Sequence, residues 1–250
     1  KAYTPSTNSI NSGQVLKEPY DFSSARIVVS EMADALSLDL TEKDLLTDRI
    51  SLTIGYDVEN ISDPNRRQRY KGEIVKDGYG RLIPKHSHAG MNLDSYTNSS
   101  EKIIKAMLDL YDRIVGKELL VRRITLVAAN VLNTSIVADK VKEDSQEGEQ
   151  ISLFEMQSKK GGSREENNDI RHNNSKENTK ENFEGNVSDG GSFEEEARPE
   201  DKAENDEESI RKAVLKIKKK YGKNAILKGT SYQEGATAKE RNSEIGGHKA

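Results

Sequence analysis

Apolar and polar positions recur along this chain in two rhythms. Period two is cleanest at 49–56, RISLTIGY, where Ile50, Leu52, Ile54 and Tyr56 share one side and Arg49, Ser51, Thr53 and Gly55 the other. Successive strand side chains point to opposite faces, so this is a half-buried strand. Residues 119–131, LLVRRITLVAANV, set Ile124 and Leu126 against Arg123 and Thr125 in the same way. After Pro84, the residues Ser87, Ala89, Met91 and Leu93 form an inward set, and His86, His88, Gly90 and Asn92 an outward one. Residues 9–15, SINSGQV, predict a short edge strand containing Gly13. Between 70 and 83 the pair Asp77-Gly78 predicts a hairpin ribbon.

The helical rhythm appears twice. From 20 to 40, Ala25, Val28 or Val29, Met32, Leu36 and Leu40 recur at helical spacing behind a cap at Asp21 or Ser23. From 99 to 116, Ile103, Met107, Leu110, Tyr111 and Ile114 form a stripe, capped by Asn98 or Ser99 and stopped by Gly116. The order is strand, helix, strand, ribbon, strand, helix, strand. It predicts an α+β fold, a split β-α-β sandwich whose four-stranded sheet carries two helices on one face. The other face is left open, with Arg49, Ser51, Thr53, His86, His88, Arg123 and Thr125 as its candidate residues.

Periodicity vanishes from 141. In residues 155–208 only Ile170, Phe183, Val187 and Phe193 represent Leu, Ile, Val and Phe. Ordering a backbone costs about 1–2 kcal/mol per residue, which so few apolar groups do not offset, so disorder is expected. Helical spacing returns at 207–221, with Ile210, Val214, Ile217 and Tyr221 as stripe, acidic residues at its start and lysines near its end. One more helical turn is expected around 236–245. The expected organisation is a domain over 1–140, an extended segment over 141–154, an acidic disordered linker over 155–206 and a basic, partly helical tail over 207–250.

Charge sharpens this division. Residues 1–140 are net neutral, residues 141–208 carry −12 and residues 209–250 carry +8. With 33% hydrophobic and 33% charged residues and no Trp, the 250-residue chain is poor material for a single core. Absence of Cys removes disulfides, thiolate metal sites and Cys nucleophiles. No apolar run is long enough to span a membrane, so no membrane partner is expected, and a cytoplasmic location is. The chain starts at Lys1 in polar sequence and reads as the C-terminal piece of something longer.

Candidate chemistry is sparse. No catalytic constellation is visible. KDGYGR lacks the Gly-Lys-Ser/Thr ending of a phosphate loop. His86 and His88 share one side of a strand, but without a third ligand they make a poor metal site. A metal-dependent enzyme built on them is the remotest reading. Arg49, Lys85, His86, His88, Arg122 and Arg123 place cations on the open face and its edges, and Arg66, Arg67, Arg69 and Lys71 cluster before the ribbon. Phosphate contacts come from such side chains and from backbone N–H groups approached closely at glycine. An ordinary solvated surface is the bland alternative. In QISLF, residues 150–154, a Leu-Phe pair stands in strongly polar sequence. It suits a short linear motif whose apolar pair fills a partner's pocket.

Three stretches, taken with the order of elements, resemble the C-terminal part of a Y-family translesion DNA polymerase. The likeness is to the UmuC and DNA polymerase IV type, and within it to the UV-damage repair polymerases of Gram-positive bacteria. SINSGQVLKEPYDF is similar to the entry into that family's little finger domain, LLVRRITLVAANV to its last strand, and QISLF to the bacterial sliding-clamp motif Gln-x-x-Leu-Phe. The terminal stretch GKNAILKGTSYQEGATAKERNSEIGGHKA also looks like the end of that subgroup. The resemblance covers 1–154 and the tail. It implies a domain that lays its sheet in the major groove of double-stranded primer–template DNA and grips both backbones. Arg122 and Arg123 match the family's DNA-contacting arginines, and Ser12, Gly13 and Gln14 its first-strand backbone contacts. Gln150, Leu153 and Phe154 match the clamp motif. The palm that holds two magnesium ions, the fingers and the thumb have no counterpart here. The fragment itself is therefore expected to be inactive and cofactor-free, although the parent would be a magnesium-dependent DNA polymerase acting in SOS-type repair. The basic tail is expected either to contact DNA or a recombinase, or to dock back on its own protein. An RNA- or protein-binding module on the same fold is the alternative reading of the whole.

Overall fold

The computed structural model describes residues 8–137, 199–245 and 248–249. The extended segment with Gln150, Leu153 and Phe154 lies outside the described residues, as does most of the acidic linker.

Strand β1 (Ser9–Tyr20) leads into helix α1 (Phe22–Glu42), which returns as β2 (Leu45–Tyr56). An insert follows: helices α2 (Glu59–Ser62) and α3 (Pro64–Arg69) and the ribbon β3 (Ile74–Lys76) and β4 (Leu82–Pro84). The second half is β5 (Ser87–Thr97), α4 (Ser100–Ile114) and β6 (Val121–Ala129), with a short β7 (Leu132–Asn133) paired to the start of β2. The long strands lie in the order β1-β6-β2-β5, every neighbour antiparallel. The two β-α-β halves therefore interleave, as the order of elements predicts.

Register and burial agree. Leu52 is paired with Ala89 on one side and Leu126 on the other, and Ile54 with Ile124. This inward set packs against Val29, Met32 and Leu36 of α1 and Met107, Leu110 and Tyr111 of α4. Burial pushes the Tyr111 hydroxyl well above the ordinary phenol range, and it donates to the Phe22 carbonyl at 2.9 Å. Asp21 caps α1 by accepting from the Ser24 amide at 2.7 Å, and Ser99 caps α4. The α4 helix ends at Ile114 with Val115 already extended, so Gly116, its expected stop, follows directly on the cap.

Two local readings change. The ribbon turn is longer than a two-residue hairpin: the Asp77 amide donates to the Arg81 carbonyl, and Gly80, at φ 80°, supplies the left-handed residue. The basic cluster before it is helical, because Asp63 accepts from the Arg66 amide and Pro64 fits the first turn.

The tail docks on the domain, the plainer of the two expectations for it. Helix α5 (Pro199–Tyr221) begins before residue 207 and lies against α1. At the α4 N-terminus, the Glu207 carboxylate accepts from Ser99 Oγ at 2.6 Å and from the Ser100 amide at 2.9 Å. Arg211, 5% exposed, lies 2.8 Å from the same carboxylate and donates to Asn98 Oδ1 at 2.8 Å. Further on, Lys228 pairs with Asp34 at 2.6 Å. The short helix α6 (Ala238–Arg241) is held by Glu31, which accepts from the Thr237 and Ala238 amides. Between α1 and the tail lies a cavity of about 330 Å³ lined partly by Leu38, Val214 and Leu227. The tail is thus latched by polar contacts more than by apolar packing, and Ile210 and Tyr221 stay 63% and 66% exposed.

This latch has an acid dependence. Burial pushes the Glu207 carboxyl up, but hydrogen bonds from Ser99 and Arg211 and the Arg211 charge prevail, leaving it below its ordinary 4.5. A depressed value in the docked state means a contribution that is complete above about pH 4.5 and lost as pH falls through the docked value. Glu207→Gln should weaken docking at neutral pH by about 1 kcal/mol, as loss of a good helix cap does. Hydrogen exchange in 207–221 should accelerate; unchanged exchange would show that the carboxylate does not hold the tail.

Candidate nucleic-acid interface

The face of the sheet opposite the helices is assembled in rows that cross the strands. One row runs Ser9, Ala129, Arg49, Asn92, and the next Asn11, Val127, Ser51, Gly90. The third runs Gly13, Thr125, Thr53, His88, and the last Val15, Arg123, Gly55. Period-two alternation makes this face unavoidable once Ile50, Leu52 and Ile54 are buried. Its middle rows are small or hydroxyl-bearing. Its cations stand at opposite ends, Arg49 in the first row and Arg123 in the last, roughly 20 Å apart at ~3.3 Å per residue.

A β-bulge sets the two paired arginines to different tasks. Gly55 pairs with Arg123 while its neighbour Tyr56 pairs with Val121, leaving Arg122 as the extra residue. Arg122 turns to the sheet's edge, where Nη1 donates to the Lys17 carbonyl at 2.9 Å and Nε lies 3.7 Å from Asp57 Oδ2. Arg123 is exposed and makes no hydrogen bond or ion pair among the described residues. It is free to meet an anion.

The remaining cations differ in availability. Arg49 Nε donates to Asn92 Oδ1 at 2.9 Å, which aims the guanidinium along the face and leaves its terminal nitrogens for a ligand. His88 Nδ1 lies 2.8 Å from Thr53 Oγ1, which fixes the ring. His86 is exposed at the entry to β5. Lys85 is already compensated: Glu73 lies 2.7 Å away and raises the lysine's pKa.

The first strand divides its candidates. Gly13 lies on the open face. Ser12 and Gln14 share the opposite side with Leu16, because successive residues of a strand alternate. Gln14 is taken up by the tail, where it donates to Thr237 Oγ1 at 3.1 Å and accepts from Arg241 at 3.0 Å. A Cβ at Gly13 would meet nothing closer than 3.7 Å, so packing does not require glycine there. At Gly55 and Gly90 it would lie 3.2 Å from Arg123 Cβ and from the Ile50 carbonyl, so a side chain at either would crowd the neighbouring strand by a few tenths of an ångström. Asn11, Val15 and Val127 complete the face. Their signal was the register of β1 against β6, which the short reading of β1 did not expose.

Among the described residues no group of three or more His, Cys, Asp or Glu is placed to hold an ion. Nor is any described helix long and apolar enough to cross a membrane.

The model of the impB/mucB/samB family C-terminal domain matches residues 7–153, more than half of the chain. The chain belongs to that family, the C-terminal part of Y-family DNA polymerases. Among solved structures, a complex of β-clamp processivity factor and the little finger domain of PolIV is 12% identical, covering 48% of this chain and 86% of that one, with a TM-score of 0.32. An insertion ternary complex of Dbh DNA polymerase is 14% identical, covering 53% of this chain and 32% of that one, with a TM-score of 0.29. The chain thus spans about a third of that polymerase. No curated protein sequence matches the chain significantly.

The bulge yields a separable prediction. If Arg123 meets a phosphate, Arg123→Ala should weaken duplex DNA binding by about fivefold and reduce the slope of log K against log salt by about one. Arg122→Ala should instead lower the melting temperature, because it leaves the Lys17 carbonyl and Asp57 without their partner. Binding titrations over a salt series, with melting curves of both variants, check the division.

Proposed function

We infer that this chain is the duplex-gripping and clamp-docking part of an error-prone translesion DNA polymerase. One observation carries the reading: both helices lie on one side of the sheet, and the other side is a smooth, hydroxyl-lined face with Arg49 and Arg123 at its ends. Nucleic-acid backbones are held by cations, hydroxyls and backbone amides, without reading sequence. The rival RNA-binding reading needs aromatic rings on such a face for bases to stack on. None of the rows that cross it contains Phe or Tyr. Duplex DNA is therefore the favoured ligand, with Gly13, Arg49, His86, His88 and Arg123 as its contacts. Ser12, Gln14, Lys85 and Arg122 support the site from behind or from its edge.

Clamp docking rests on the sequence QISLF, which follows the domain and ends one residue beyond the family match. Leu153 and Phe154 fill the clamp's apolar pocket, and Gln150 orients the peptide through its side-chain amide. A second grip on a ring that encircles the same DNA raises the effective concentration of the first. Nucleotidyl transfer and its magnesium ions belong to the polymerase palm. The expected setting is SOS-type damage tolerance in a bacterial cytoplasm. A recombinase would meet the tail on its exposed lysines, Lys216, Lys219 and Lys220.

Replacing both Leu153 and Phe154 by Ala should abolish binding to a bacterial sliding clamp while leaving duplex affinity within about twofold, since the two grips are separate. Surface plasmon resonance on immobilised clamp and on DNA reads both. Clamp binding that survives the double substitution would remove QISLF from the mechanism. In a template-directed extension assay the chain alone should incorporate no nucleotide.

A further inference from the structure

The insert between β2 and β5 is untouched by the reading above, and its tip has unusual chemistry. Tyr79 is 87% exposed, more than any other large apolar side chain among the described residues. Its exposure is built rather than incidental. The Asp77 carboxylate accepts from the Tyr79 amide at 2.9 Å, from the Arg81 amide at 2.9 Å and from Arg81 Nε at 2.8 Å. Gly80 closes the turn at φ 80°. The Arg81 guanidinium then lies over the Tyr79 ring, 5.2 Å from its centroid. One face of the ring is covered by a cation, and the other is offered to solvent.

Charge and position indicate the ligand. Residues 64–85 carry a net charge of +5, whereas residues 1–140 together are neutral. The insert leaves β2 beside Gly55 and Arg123, passes through α2 and α3, and its ribbon re-enters the sheet at β5, next to His86 and His88. The ribbon therefore stands at the Arg123 end of the sheet. An aromatic ring backed by a guanidinium is an arrangement on which an unpaired base stacks; the Arg81 charge is itself paired with Asp77, 2.7 Å away. Paired bases inside a duplex present no open ring face.

We propose that the ribbon tip, Tyr79 with Arg81, stacks on an unpaired base of single-stranded DNA next to the duplex held by the sheet. This rests on the duplex-binding reading only for where the duplex lies; the stacking contact is its own.

The test compares the full chain on a blunt duplex and on the same duplex with a single-stranded thymidine overhang, by fluorescence anisotropy at one salt concentration. The parent chain should bind the overhang duplex about tenfold more tightly, within the range of one stacked base. An abasic overhang should remove that gain. Tyr79→Ala should lose the gain and keep blunt-duplex affinity, while Tyr79→Phe should retain it. Equal affinity of the parent chain for both DNAs, or an overhang gain that survives Tyr79→Ala, overturns the proposal. So does Tyr79→Ala weakening both DNAs alike, which would place the ring on the duplex. Failure on the blunt duplex with an intact Tyr79-dependent overhang gain would reject the sheet's grip and leave the ribbon's.

Discussion

A sheet that carries its two long helices on one side puts its other side into water. That constraint organises this protein. Burial of Ile50, Leu52, Ile54, Ile124 and Leu126 under α1 and α4 fixes the register of β2 and β6. A one-residue slip would turn every one of these side chains to solvent, so the register is held by the core. The opposite face follows from the same alternation. Arg49, Ser51, Thr53, Thr125 and Arg123 stand where they do because their neighbours are buried. The bulge at Arg122 departs from this alternation, and it ties Arg122 to the Lys17 carbonyl while Arg123 keeps its place on the open face.

The three layers of the molecule use different physics. The core is apolar and continuous. The open face is smooth and carries its charge at its ends. The tail lies on the helix side of the sheet, held by Glu207, Arg211, Lys228 and Glu31 through hydrogen bonds and ion pairs, and reaches β1 at Gln14. Contacts of this kind contribute little each when exposed, but more where a partner such as Arg211 is buried and its removal would strand a charge. The tail and the proposed DNA face are on opposite sides of the domain, so tail docking leaves that face open.

Much of this was legible in the sequence because period two and period three-and-a-half are strong signals. The strand at Ile50 to Tyr56, the helix stripe from Ile103 to Ile114 and the outward set at His86, His88, Gly90 and Asn92 follow directly from spacing. What was hidden has physical reasons. Ser12 and Gln14 are neither apolar nor charged, so nothing local says which way they face; only pairing of β1 with β6 does. The latch was invisible because a carboxylate on a helix N-terminus more than one hundred residues away leaves no periodic trace. The basic cluster at Arg66 to Arg69 carried its helix signal in Asp63-Pro64, two residues that also suit a turn. Lys85 looked free until the fold brought Glu73 beside it.

The central claim is that duplex DNA lies on the open face and nowhere else on the domain. Thr125 sits in the middle of that face, and Lys105 is exposed on the helix side. A carboxylate introduced at Thr125 should repel phosphate and lower duplex affinity by at least about tenfold, with the melting temperature little changed. Lys105→Glu should leave affinity near that of the parent chain. If Thr125→Glu binds duplex DNA like the parent, or if Lys105→Glu weakens binding as much, the open sheet face is not where the DNA lies.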